Sequence, residues 1–427
     1  MTKQSQNRIV PIIMMIALFG MVSFVTGLQN PMGIIVKNQF GASNFMSQLG
    51  NFSNFIAYAF MGIPSGLLLQ RIGYKKTALL AVAVGFCGVG IQFLSGTTGS
   101  FAVYLSGAFI SGFSMCMLNA VVNPMLNTLG GAGKKGNQLI QVGGSFNSLN
   151  ATIVPVLIGY LIGNASQATI KDANPALFIA MGVFALAFLV LLLVNIPEPI
   201  PTQKLDKALK DKHSPLSFRH FILGAVAIFV YVGIEVGIPN FCNLYMTTSI
   251  AEGGLGIDTT IAGSVVGTYW FLMLIGRLIG ASVGAKVSSK AMLTFTSSLA
   301  AVFVILAMFS SADTHISMPV FFSDISFGVT NVPIGIMFLT LCGLCTSIMW
   351  GGIFNLAVEG LGKYTSLASG LFMVLVCGGG ILPLIQGLLA DGFGFMASFW
   401  LTFAGAAYLL YYALIGSKNV NTDIPVE

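Results

Sequence analysis

About twelve runs of roughly 20 largely apolar residues, separated by short polar connections, set the limits on what this chain can fold into. A run of that length coiled as a helix crosses the hydrocarbon of a bilayer with its backbone polar groups paired internally. The spans read at 9–36, 45–69, 77–95, 101–128, 138–163, 176–196, 220–246, 260–282, 291–310, 332–358, 366–389 and 393–416. They are apolar on every face and lack the alternation of barrel strands, so strands are not expected. Of the 427 residues only 7% are charged, too few to wet the surface of a soluble domain. The expected class is an all-α membrane protein, with twelve transmembrane helices in two six-helix, pseudo-symmetric bundles.

Lys3 and Arg8 precede the first run, which has no small-residue cleavage pattern and reads as an uncleaved membrane helix. Seventeen lysines and arginines, Arg277 among them, are assigned to the termini and even-numbered connections, against Lys37 and Lys171 on the other side. Basic residues stay on the cytoplasmic side, so a cytoplasmic (inner) membrane protein with both termini cytoplasmic is expected. The longest polar stretch, PEPIPTQKLDKALKDKHSPLSFR, divides the chain into an N-terminal six-helix bundle (1–196), a cytoplasmic linker (197–219) and a C-terminal six-helix bundle (220–427). A second polar insert, around Ser311 to Asp324, is expected on the opposite side. GLLLQRIGYKK (66–76) is echoed by GASVGAKVSSK (280–290), and Pro155 and Gly159 by Pro383 and Gly387. Parallel-repeat transporters are built from two such halves, with the solute site at the midplane between them.

Several function classes lose their footing at this point. The basic residues are scattered through short loops, which does not suit a nucleic-acid partner. All six cysteines fall in apolar stretches, and the Cys342/Cys345 pair stands alone, so no metal site and no disulfide framework are expected. GGAGKKG (130–136) lacks the spacing and the Ser/Thr of a phosphate loop. No cofactor and no catalytic residue are expected, because paired acid/base or nucleophile/base groups are missing from the spans. No charged ring marks a channel pore.

What remains inside the spans is one carboxylate and a set of amides. No acidic residue precedes Asp172, and among the thirteen acids Glu235, in FVYVGIEVGIPNF, sits well inside a span. An ionisable group at that depth must face a partner or a water-filled cavity, so Glu235 is the candidate for both coupling and substrate binding. A structural hydrogen bond between helices is the plainer alternative. Gln29, Asn30, Asn51, Asn119, Asn123, Asn147, Asn240, Asn243 and Asn355 offer donor and acceptor faces suited to a poly-hydroxyl solute. Asn119, Asn123 and Asn127 are spaced by four and share one helix face. Trp270 and Trp350 offer flat apolar surface for sugar C–H groups, with interfacial anchoring or packing as the plainer alternative. Pro31, Pro124, Pro155, Pro239 and Pro383 are expected to mark kinks tolerated beside protein or cavities.

These motifs also carry a family resemblance. GLLLQRIGYKK resembles the loop signature of the major facilitator superfamily, with Gln70 where the usual form has an aspartate. NAVVNPMLNTLG (119–130), SFNSLNA (145–151), YVGIEVG (231–237) and the segment 354–391 resemble the fucose–galactose–glucose:proton symporter family, the fucose permease group. In that group an aspartate on helix 1 and a glutamate on helix 4 bind sugar and proton, and a helix 5 glutamine touches sugar. Those positions align here with Gly33, Asn119 and Gly144, while a helix 1 asparagine is kept as Asn30 and a helix 7 glutamate as Glu235. The resemblance implies a secondary transporter that moves a monosaccharide (glucose, galactose, fucose or an amino sugar) by alternating access with proton symport. A sodium ion held at the Pro239 break, an uncoupled sugar facilitator and a non-transporting membrane receptor stay open as alternatives. The expected partners are a sugar, a proton or sodium ion and the lipid bilayer, with the protein acting as a monomer.

Overall fold

The computed structural model describes residues 9–129, 133–162, 168–196, 213–283, 287–322, 326–421 and 423–426. Most of the expected linker, 197–219, therefore lies outside the described residues. The membrane helices are α1 (Ile9–Phe40), α2 (Leu49–Ile72), α3 (Tyr74–Thr98), α4 (Phe101–Leu129), α5 (Gly133–Ile162), α6 (Asn174–Leu193), α7 (Arg219–Thr247), α8 (Thr259–Val283), α9 (Ser289–Phe309), α10 (Ile334–Thr346 and Met349–Val358), α11 (Thr365–Leu375 and Gly378–Phe393) and α12 (Phe395–Tyr411). Eleven of the twelve carry a window long and apolar enough to cross a membrane among the described residues. The remaining one, α5, is long enough, but its first half reads GKKGNQLIQVGGSFNSLN and is rich in amides and small residues. The all-α membrane class read from the apolar runs is the class observed.

Local chemistry sets where the helices stop. Gly73 (φ 81°) and Gly394 (φ 90°) reverse the chain in a single residue between α2 and α3 and between α11 and α12, a backbone state that side chains disfavour. Ser288 caps α9 by accepting from the Ala291 N–H.

Three features go beyond or against the sequence expectations. The insert after α9, to which the sequence assigns no elements, holds a hairpin: His315–Phe321 (β1) and Phe327–Pro333 (β2) pair antiparallel, with His315 opposite Pro333 and Phe321 opposite Phe327. Its β-branched residues suit a pleat, and Phe321 anchors it to α8 by stacking on Phe271 and donating its N–H to Thr268 Oγ1 at 3.0 Å. The helices α10 and α11 are each divided, at 347–348 and 376–377. By contrast, α7 runs unbroken across Pro239, so the break expected there is absent.

A proline inside a helix leaves the carbonyl four residues earlier without its usual N–H donor. At Pro239 that carbonyl belongs to Glu235, and the Tyr269 hydroxyl of α8 donates to it at 3.2 Å. At Pro383 it belongs to Gly379, and Asn51 Nδ2 of α2 donates to it at 2.8 Å. Neighbouring helices thus replace the missing bonds, which is why both prolines are tolerated at membrane depth.

Among α1–α6 the main packing pairs are α3 with α4, α1 with α5, α2 with α4 and α3 with α6. Among α7–α12 they are α7 with α11, α9 with α10 and α12, and α8 with α10. Contacts between the two sets run chiefly along α5–α8 and α2–α11, with α1 touching α7. At the end where α1 and α7 finish, polar contacts also join the sets. Lys37 Nζ donates to Thr248 Oγ1 at 2.9 Å, and Asp391 accepts the N–H groups of Asn44 and Phe45 at 2.8 and 2.9 Å. Asn240 Nδ2 donates to Gln48 Oε1 at 3.1 Å at the same end.

Candidate functional site

Helical spacing brings the chemistry together. On α7, Tyr231 and Glu235 lie one turn apart; on α8, Tyr269 and Arg277 lie two turns apart; on α10, Thr346 and Trp350 flank the division at 347–348. Close packing of α8 on α10 sets their separation, since a Cβ at Gly343 would fall 2.3 Å from the Tyr269 carbonyl oxygen. The Tyr231 hydroxyl donates to the Thr346 carbonyl at 3.1 Å, and the Tyr269 hydroxyl lies 3.1 Å from Thr346 Oγ1. Trp350 meets Tyr231 edge to face with ring centroids 6.3 Å apart, and Trp270 meets Tyr269 in the same way at 5.3 Å.

At the heart of this cluster is an ion pair. Arg277 Nη2 lies 3.6 Å from Glu235 Oε1, with side-chain exposures of 18% and 15%. The same guanidinium donates through Nη1 to the Gly144 carbonyl of α5 at 2.8 Å. Arg277, grouped with the connections when basic residues are counted, lies inside α8 two turns before its end. The missed signal was its setting, LMLIGRLIGAS, an arginine with apolar residues on both sides. A charge at that depth needs a counter-charge, and Glu235 supplies it.

The expected amides divide into two groups. Asn119 Nδ2 donates to Tyr58 OH at 2.9 Å, Asn123 Nδ2 to the Asn119 carbonyl at 3.0 Å, and Asn147 Nδ2 to the Phe19 carbonyl at 2.8 Å. All three side chains are partly exposed, Asn355 is exposed, and Trp270 and Trp350 are half-buried. Asn51 and Asn240 are buried, and their donors are taken up by the Gly379 carbonyl in the α2–α11 contact and by Gln48 Oε1. Asn243 is also buried, and its Oδ1 has no hydrogen-bond partner among the described residues. The side chains of Gln29, Asn30 and Asn127 lie outside the described set. Among the described residues no cluster of His, Cys, Asp and Glu could hold a metal ion.

Beside the Glu235–Arg277 pair the arrangement offers amide and phenol groups and two indole faces. These are the parts needed to bind a polar, poly-hydroxyl molecule, and among the described residues the cluster holds no second carboxylate, histidine or cysteine nucleophile to pair with Glu235 for bond cleavage.

Comparison with known proteins agrees with this reading of the fold. The chain is 32% identical to the glucose/galactose transporter of Brucella abortus, over 94% of this chain and 93% of that protein. It is 22% identical to the L-fucose-proton symporter of Escherichia coli, over 92% of this chain and 89% of that one. Its fold matches the crystal structure of FucP, a major facilitator transporter in the outward conformation, with a TM-score of 0.68 and 19% identity over 97% of this chain and 100% of that one. The family model described as Major Facilitator Superfamily matches residues 13–382. With that match over most of its length, and with twelve helices packed in this way, the chain belongs to the major facilitator superfamily, a family of membrane transporters and not of enzymes.

Proposed function

We propose that this protein carries a monosaccharide of the glucose or galactose type, together with a proton, across the cytoplasmic membrane. The observation that carries the reading is the Glu235–Arg277 pair, set among Tyr231, Tyr269, Trp270 and Trp350 inside the helical bundle. The name of the 32% identical relative supports the sugar class, and that of the fucose relative supports the proton. Asn119, Asn123, Asn147 and Asn355 complete the sugar-binding wall; for Gln29 and Asn30 the proposal rests on the sequence alone. Asn51, Asn240 and Asn243 join the same lining in other stages of the cycle. The bodies that move are the halves 1–196 and 220–427, joined by the linker 197–219. Both termini are cytoplasmic, which makes the end closed by Lys37, Thr248 and Asp391 the external one. The unit is a monomer.

Sodium coupling at Pro239 loses its basis, because the helix is continuous there and the Glu235 carbonyl is already bonded to Tyr269. Glu235 is the coupling group: it takes up a proton from the external side and releases it inward. Glu235→Gln mimics the protonated form. In proteoliposomes this variant should lose sugar accumulation against a gradient while still exchanging internal for external sugar. Retained accumulation in Glu235→Gln would exclude the carboxylate as the proton carrier.

A further inference from the structure

We propose that Arg277 is the positioning residue through which the charge on Glu235 governs the α5–α8 contact between the two halves of the transporter. The inference rests on Glu235 being the coupling group. It starts from the fork geometry of the guanidinium. Nη2 faces the carboxylate of α7 at 3.6 Å, within the same half, while Nη1 donates to the Gly144 carbonyl of α5, in the other half, at 2.8 Å. A single side chain therefore touches both the titrating group and the opposing body.

Four features make this a device and not an ordinary ion pair. Arginine stays protonated in proteins, so Glu235 is the one member of the pair whose charge changes. The groups facing Glu235 are Tyr231 on α7 and Tyr269 and Arg277 on α8, and none of them is a second acid or a histidine. Gly144 keeps the approach open: a Cβ there would lie 3.7 Å from Nη1, so a methyl fits, whereas a longer side chain would occupy the place of the guanidinium. On its other side α8 is fixed to α10, because a Cβ at Gly276 would fall 2.2 Å from Ser347 Oγ. Across the halves the Arg277 head donates to α5, at the Gly144 carbonyl.

With Glu235 ionised, the guanidinium is held between carboxylate and carbonyl, and the α5–α8 contact is tied to the α7 charge. With Glu235 neutral, an uncompensated cation remains at membrane depth beside a neutral carbonyl, an unfavourable state. The guanidinium then withdraws towards water, and the grip on Gly144 is released. Protonation on α7 is in this way converted into a loosening of the contact between the halves.

The test uses full-length protein in proteoliposomes, with radiolabelled glucose and galactose as probes, measuring accumulation driven by an imposed proton gradient and, separately, sugar exchange. Arg277→Gln and Gly144→Leu should each lower the accumulation ratio about tenfold while exchange persists, a loss within the range of typical coupling free energies. Arg277→Lys keeps the charge but not the two-way fork, and should fail to restore accumulation. Normal accumulation in Arg277→Lys would overturn the proposal, since charge balance alone would then suffice; that result decides the matter even if Gly144→Leu does not fold. Loss of exchange together with accumulation in Arg277→Gln would also overturn it, reducing Arg277 to a structural role. If Arg277→Gln and Gly144→Leu accumulate normally while Glu235→Gln does not, the proposal fails and the assignment of Glu235 stands. Accumulation by Glu235→Gln removes both.

Discussion

Asn119 and Asn123 each place one amide hydrogen on a protein acceptor, Tyr58 OH and the Asn119 carbonyl, and among the described residues the rest of each partly exposed amide meets no other partner. If those free faces meet sugar hydroxyls, removing one leaves a ligand group unpaired, a loss of about 1–3 kcal/mol in binding. Asn119→Ala and Asn123→Ala should each weaken sugar affinity by that amount, measured by binding to purified protein. Tyr58→Phe serves as the control for the internal hydrogen bond. Unchanged affinity in both alanine variants would move the site away from α4. That Asn119 and Asn123 share one face was legible, because a spacing of four is visible in the letters themselves. Arg277 was not, because counting basic residues towards loops hides an arginine that a partner on another helix makes tolerable. Nothing in the order of the residues says that α7 and α8 bring positions 235 and 277 within 3.6 Å.

At the scale of elements, the two proline-freed carbonyls are the clearest link between sequence and packing. Asn51 was expected as a cavity amide, and its donor is used on the Gly379 carbonyl that Pro383 leaves open. Asn51→Ala should therefore destabilise the protein by about 1–3 kcal/mol, the cost of leaving a buried acceptor unpaired. Pro383→Ala restores an N–H to that same carbonyl, so the Asn51→Ala penalty should shrink in the Pro383→Ala background. Thermal unfolding of the two single variants and the double variant in detergent measures this, and strictly additive effects would contradict the shared carbonyl. The sequence places both prolines as kinks tolerated beside protein or cavities; which neighbour supplies the replacement donor is not written in the order of the residues. The hairpin β1–β2 was missed because seven-residue strands outside the membrane carry little weight beside apolar runs three times as long.

For the whole molecule, the apolar runs and their number were enough to reach the fold, since a bilayer leaves a chain of this composition few other options. Which contacts hold in a given stage of the cycle was not legible, because alternating access needs at least two packings from one sequence. In the structure described here the halves meet through Lys37–Thr248, Asp391 and Asn240–Gln48 at the end read as external. A disulfide replacing the Lys37–Thr248 contact should stop turnover and leave the protein folded, read as sugar flux before and after reduction. A second disulfide joining α4 and α10 near the cytoplasmic end should do the same. Full flux with both in place would rule out rocking halves.

The most direct test of proton-coupled sugar transport is uptake of radiolabelled glucose and galactose into proteoliposomes holding the wild-type protein, under an imposed proton gradient or a sodium gradient. Glu235 as a proton carrier predicts sugar accumulated above the external concentration with the proton gradient and not with the sodium gradient. Equilibration without accumulation under either gradient would contradict coupling and make the protein a facilitator.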